Sequence, residues 1–186
     1  MGSTVTHAIT SNTPNRIQVD AGAVYKDWGE VSEEVLGACR GGANFEVTEE
    51  MRQAEVDGVG FGSIMGLIRP VNLVVTLKTV AVECSLAQLL RMTRGTAYSD
   101  GTYRIITPST DLATTDYLTN VALVGSVLNT STPVVIVLAN AIETGGWSFQ
   151  TSDNDEGRLD ITFTAHYDSS AMTTVPYSIQ WPVGAT

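Results

Sequence analysis

Positive charge is what this chain has least of. Ten lysines and arginines stand against 20 carboxylates, a formal charge of −10. A surface that seeks nucleic-acid phosphates through Lys and Arg is therefore excluded, and so is electrostatic attraction to an anionic membrane. Cysteine is nearly absent: Cys39 and Cys84 match neither a CxxC redox pair nor a zinc spacing and read as small buried or half-buried residues. No stretch approaches the ~18 apolar residues of a membrane span. The start, Met1-Gly2-Ser3-Thr4, lacks the basic region and apolar core of a secretion signal. These absences lead to the expectation of a soluble protein made in the cytoplasm.

At 186 residues the chain has room for one domain with a sizeable core and little room for two. Residues 1–16 are polar and rich in Ser, Thr and Asn, and are expected to form a mobile arm before a single domain at 17–186. The periodicity there is that of strands. Over 158–168, Leu159, Ile161, Phe163, Ala165 and Tyr167 alternate with Asp160, Thr162, Thr164, His166 and Asp168, which predicts a half-buried antiparallel strand. Val71, Leu73, Val75 and Leu77 keep one phase and the apolar phase then moves to Val80 and Val82, predicting a bulge or twist near Thr79. The run 134–139 is continuously apolar, as for a strand buried on both faces or against a neighbouring subunit. Residues 117–124 and 103–107 are further strands, and Gly145-Gly146 and 153–157 read as hairpin connections.

One helix is expected at about 85–94. Ser85 and Gln88 form a capping box, Leu86, Leu89 and Leu90 share a face, Arg91 and Arg94 complement the C-terminal dipole, and Gly95 ends it. The fold class is mainly β: an antiparallel sandwich or barrel with one short flanking helix.

The remaining feature is an acidic, glycine-punctuated segment. Nine carboxylates fall between Asp27 and Asp57, opposed within that window only by Arg40 and Arg52. Phe45, Val47, Met51, Val56, Phe61 and Ile64 supply anchors that a solvated tail lacks, so the segment reads as an ordered, extended arm. Gly58, Gly60 and Gly62 suggest a phosphate loop, but Ser63 stands where the last glycine of GxGxxG belongs and no helix follows; turns needing open backbone angles are the better account.

Several of these residues together resemble the tail tube (major tail) proteins of long-tailed bacteriophages. The resemblance rests on Val19-Asp20-Ala21-Gly22, on Leu36-Gly37-Ala38-Cys39-Arg40-Gly41-Gly42, and on Glu55-Val56-Asp57-Gly58 with Gly60 and Gly62. The strand-helix unit ending in Arg94-Gly95, and Phe163-Thr164-Ala165-His166-Tyr167-Asp168 followed by Pro176, extend it over most of 19–182; residues 96–115 fit it less well. The resemblance implies a self-assembling structural virion protein without catalysis or cofactor. Its copies would form rings, usually hexameric, that stack into a hollow tube for genome DNA, with a long extended intersubunit loop at about 41–70. It implies the tape measure, tail terminator and distal tail proteins as partners, passing non-specific contact with DNA, no membrane, and a place in the virion tail after assembly in the host cytoplasm. The distal tail and tail terminator proteins share the fold and remain alternatives.

On this reading Glu46, Glu49, Glu50, Glu55 and Asp57 are candidates for lumen or ring-interface charges, with Gly41, Gly42, Gly58, Gly60 and Gly62 as loop-turn glycines. Duplex DNA carries one negative charge per ~1.7 Å of axis, so an acidic lumen repels what a basic one would hold. Other functions find less support. His7 and His166 are the only histidines, the first in the terminal arm and the second on the polar face of a strand, so neither marks a nucleophilic triad. Asp153, Asp155 and Glu156 lack the glycine and glutamate placement of an EF-hand, and no carboxylate pair stands out for glycoside hydrolysis. A carbohydrate-binding sandwich would need an exposed aromatic cluster, for which Trp147, Trp181 and Tyr103 are the candidates; Trp28, Trp147 and Trp181 otherwise suit core or subunit packing.

Overall fold

The computed structural model describes residues 13, 17, 22–54, 57, 64–128, 130–146, 148–153 and 155–183. The expected terminal arm at 1–16 lies, Thr13 apart, outside them. The chain is mainly β and antiparallel, with one short α-helix among the described residues. Strands β2 (Glu34–Val35), β1 (Ala23–Lys26), β7 (Leu118–Gly125), β8 (Val134–Glu143) and β11 (Tyr177–Gln180) pair in that order. A second group pairs as β3 (Cys39–Gln53), β4 (Ile68–Ala81), β10 (Asp155–Thr164) and β9 (Ser148–Ser152). Strand β8 belongs to both: its end, Ile142 and Glu143, pairs with Thr164 and Phe163 of β10 and closes the two groups into a sandwich.

The alternation expected over 158–168 holds as strand only to Thr164, where β10 ends, and Tyr167 is exposed; the part that holds dictates this closure. Leu159, Ile161 and Phe163 are at most 2% exposed and meet Val75 and Leu77 of the same sheet, with Val24, Val121 and Leu138 of the other, in one core. The apolar run at 134–139 is explained by β8's central position, flanked by β7 and β11. Residues 96–115 supply a separate hairpin, β5 (Thr96–Ser99) with β6 (Arg104–Thr107), followed by a 3-10 turn at Thr114–Asp116.

The predicted phase shift near Thr79 does not occur in β4, where odd positions stay inward from Leu73 to Ala81. Thr79 occupies a buried site and donates its hydroxyl proton to the carbonyl of Gly42 at 3.4 Å. The irregularity lies across from it. Between the pairs Cys39↔Ala81 and Ala43↔Thr79, Arg40, Gly41 and Gly42 stand opposite Val80 alone. Gly41 and Gly42 each have φ +80°, so they are bulge residues inside β3 and not loop-turn glycines. Of the loop expected at about 41–70, the part up to Gln53 and the part from Ile68 are paired strand.

Helix α1 (Leu86–Thr93) has the predicted capping box, with Gln88 N–H donating to Ser85 Oγ at 3.2 Å and Ser85 N–H to Gln88 Oε1 at 2.8 Å. Its inward residues differ from expectation: Leu86 is exposed, whereas Gln88 is buried and donates from Nε2 to the carbonyl of Leu36, and Met92 packs on the core. The left-handed residue that ends the helix is Arg94 (φ 49°), not Gly95. Glycine is needed at 95 for space, because a Cβ there would stand 2.5 Å from the Thr107 carbonyl oxygen of β6. Cys39 is half-buried and Cys84 exposed, both free, so the expectation of burial fails for Cys84.

Truncating Leu138, which is fully buried, is expected to cost ~2–5 kcal/mol, whereas Val71→Ala, on an exposed part of β4, should stay within ~0.5 kcal/mol of the parent. Urea denaturation of the two variants checks both figures. Gly95→Ala should lose ~1–3 kcal/mol in the same assay through its clash with β6.

Candidate functional site

Strand β10 covers β4 only from Ala81 to Thr76. Beyond that point β3 and β4 continue as a two-stranded ribbon, pairing Thr48↔Val74, Glu49↔Leu73, Glu50↔Asn72 and, after a register shift, Met51↔Pro70, Arg52↔Arg69 and Gln53↔Ile68. Six or so residues per strand make an arm about 20 Å long at ~3.3 Å per residue. An isolated two-stranded ribbon is marginal in water, and this one carries exposed Met51, Ile68, Val71 and Val74, with Ile64 and Met65 in its connecting loop; Met65 is 98% exposed.

The acidic candidates distribute over this arm. Glu46 and Glu50 share one face by strand periodicity and Glu49 takes the other. Glu46 is held by Lys78 at 3.0 Å. Glu49 and Glu50 are exposed, and their carboxylates have no hydrogen bond or ion pair among the described residues. Asp57 is exposed in the loop. Glu55, Gly58, Gly60 and Gly62 lie outside the described residues. Among the described residues neither arginine of the window forms an ion pair with an acid of the arm. Arg40 reaches back to Asp155 at 2.6 Å and Glu156 at 3.1 Å, and Arg52 stands across from Arg69. Arg40, helped by Arg158 at 2.9 Å, holds the Asp155 carboxyl well below the usual carboxylate range. Asp155 and Glu156, at the start of β10, are thus engaged by guanidinium groups.

A second feature escaped sequence reasoning. Between the end of α1, the segment before β7 and the end of β8 lies a cleft of about 400 Å³, lined among others by Arg94, Leu112, Tyr117, Glu143 and His166. His166, expected on an open polar face, is half-buried against Tyr117, with ring centroids 5.3 Å apart. Its Nδ1 lies 3.1 Å from the Thr164 carbonyl oxygen. Burial pushes the Glu143 carboxyl up to about 7, against the pull of Arg94 and Arg91. Arg94 Nε and Glu143 Oε1 are buried with no hydrogen-bond partner. Nothing in their sequence spacing signals this pairing of positions.

Of the aromatic candidates, Tyr103 is 70% exposed on the β5–β6 hairpin with no ring neighbour among the described residues. Trp181 follows β11 and is half exposed. Trp147 lies outside the described residues, and Trp28 packs edge-on against Tyr25 at 4.9 Å.

No family model and no curated protein matches the chain. Among solved structures, it is similar to a chain in the tail of an empty GTA particle determined with C6 symmetry: TM-score 0.46, 10% identity, 88% of this chain and 96% of that one covered. A chain of the native gene transfer agent virion gives 0.47 and 11%, covering 89% of this chain and 100% of that one. A chain of the anti-feeding prophage baseplate gives 0.44 and 16%, covering 86% and 92%. Identities this low are silent on function.

Because the Glu143 carboxyl is raised in the folded chain, the native state binds its proton more tightly than the unfolded chain does. That contribution to stability is full below the ordinary glutamate range and is lost as pH rises toward about 7. Glu143→Gln should flatten this part of the profile, gaining on the parent at pH 8 relative to pH 5 in thermal melts.

Proposed function

We propose that this protein is a structural subunit that self-assembles through the β3–β4 arm, in the manner of the tail tube proteins its sequence resembles. The carrying observation is the arm itself: a ribbon without a third strand among the described residues, exposing Met51, Ile68, Val71 and Val74 to water. Apolar surface of this kind on a projecting ribbon marks a surface for a partner. An arm leaving one side of a subunit to lie on a different surface of the next makes a heterologous contact, which generates a ring when the rotation closes. Rings, hexameric in the family, would stack into a tube whose acidic surface does not retain DNA; Glu46, Glu49, Glu50, Glu55 and Asp57 serve its lumen or its ring interface. The role is non-catalytic and belongs to the virion tail. Tape measure, terminator and distal tail proteins are its further partners, and residues 1–16 the contact between rings.

Negative-stain microscopy of the purified full-length chain should show rings or tubes, and a uniform field of monomers would overturn the proposal. Met51→Glu combined with Val71→Glu should abolish those assemblies while moving the monomer's urea midpoint little, because both side chains are exposed.

A further inference from the structure

We infer that the cleft between α1 and the end of β8 is a receptor for a carboxylate of a second copy of this chain, supplied by Glu49 or Glu50 of that copy's arm. The inference rests on the self-assembly reading and adds where the arm docks.

The side chains of Arg94 and Glu143 line the same cleft yet make neither hydrogen bond nor ion pair, with each other or with any other described residue. A guanidinium without an anion and a carboxyl without a partner are each costly when their polar atoms are buried. Two strained residues support the arrangement. Arg94 (φ 49°) and Asn140 (φ 47°) are, with Asp27, the described non-glycine residues at positive φ. Asn140 Nδ2 donates to the His166 carbonyl at 3.2 Å, and His166 N–H donates to the Ala139 carbonyl at 3.3 Å. Strain thus fixes Arg94 on one wall and His166 on another, and backbone strain held by surrounding structure gathers at functional sites.

The charged and titratable groups around the cleft are Arg91 and Arg94 from α1, Tyr117 before β7, Glu143 of β8 and His166 after β10. With Glu143 neutral the site is positive. It then offers donors that a ligand can reach, the terminal guanidinium N–H groups of Arg94 and the Glu143 O–H at Oε2, since Nε and Oε1 are the atoms closed off, and a carboxylate accepts from both. The chain itself is rich in that ligand. Glu46 is taken by Lys78, whereas the exposed carboxylates of Glu49 and Glu50 have no partner among the described residues. Exposed apolar Val74 and Met51 flank them, a match for Leu112 and Tyr117 in the cleft. Since no described acid of the arm meets Arg94 within the chain, the carboxylate is assigned to another copy.

An inserted carboxylate favours the protonated Glu143, so docking takes up a proton and assembly strengthens as pH falls. Sedimentation velocity of the full-length chain from pH 8.5 to 6 should show the assembly midpoint moving to about tenfold lower protein concentration, the equivalent of one pH unit of linkage. Glu143→Gln keeps a donor that cannot ionise and should hold the midpoint near its low-pH value throughout. General neutralisation of the acidic surface acts on parent and variant alike, so the difference between them is the reading. Arg94→Met should weaken assembly at every pH, with thermal melts establishing that it folds, and either Glu49→Gln or Glu50→Gln should do the same. His166→Gln should retain the parent's pH profile, which separates the histidine's own titration. A Glu143→Gln profile that tracks the parent's, or full assembly by both arm variants, would overturn the docking site and leave self-assembly standing. A parent chain monomeric at every pH would overturn both.

Discussion

Everything distinctive about this molecule follows from where β4 loses its second neighbour. From Ala81 to Thr76 it lies between β3 and β10, and its inward side chains enter the common core. From Val74 to Ile68 its strand neighbour among the described residues is β3 alone. A strand pair that leaves its sheet keeps its hydrogen bonds but loses the layer against which its apolar side chains would pack. Residues of the same strand are therefore core at one end, where Val75 and Leu77 are fully buried, and surface at the other, where Ile68 and Val71 are about half exposed. The root is anchored twice, by the sandwich and by Arg40 reaching from the β3 bulge to the β9–β10 connection.

The scarcity of positive charge sharpens this picture. Lys26, Arg40, Lys78 and Arg158 are all engaged by carboxylates of their own chain. Exposed pairs of this kind contribute little stability singly, but they remove those cations from the outward field. What remains is informative. Arg52 and Arg69 face each other across the arm, a like-charge pairing that disfavours the isolated ribbon. Arg94 sits half-buried without an anion. In a chain of net charge −10, cations left uncompensated are places where carboxylate from outside would be welcome.

Much of the fold was legible in sequence because single residues there obey one local rule. The alternation from Leu159 to Ala165 sets a strand with one buried face, and Ser85 with Gln88 sets the start of α1. Legibility failed where a tertiary contact overrode the rule. Thr79 lies in an apolar phase because the bulged strand opposite lends it the Gly42 carbonyl, so polarity misreported its direction. Gly41-Gly42 signals open backbone angles correctly, but a turn and a bulge demand the same angles. The acidic arm was readable as ordered and extended, though not as paired strand. The cleft was not readable at all: Arg94 and Glu143 meet only through the packing of α1 against the end of β8, and neither Arg94 nor Asn140 belongs to the residue types that most announce positive φ by being glycine.

The departures from local rules are not scattered. A ribbon with exposed apolar side chains, like charges opposed across a strand pair, and a guanidinium Nε and a carboxyl oxygen buried without partners each lower the stability of the lone subunit. Buried polar groups left unsatisfied cost ~1–3 kcal/mol apiece, a substantial share of the ~5–15 kcal/mol that holds a domain of this size. A sequence under selection for the monomer alone would shed them, since a leucine at 143 or a lysine at 71 is a single change. Their concentration on the arm and the cleft, against a sandwich core whose every buried apolar position is locally consistent, is what a protein shows when part of its native contact set lies on another copy of itself.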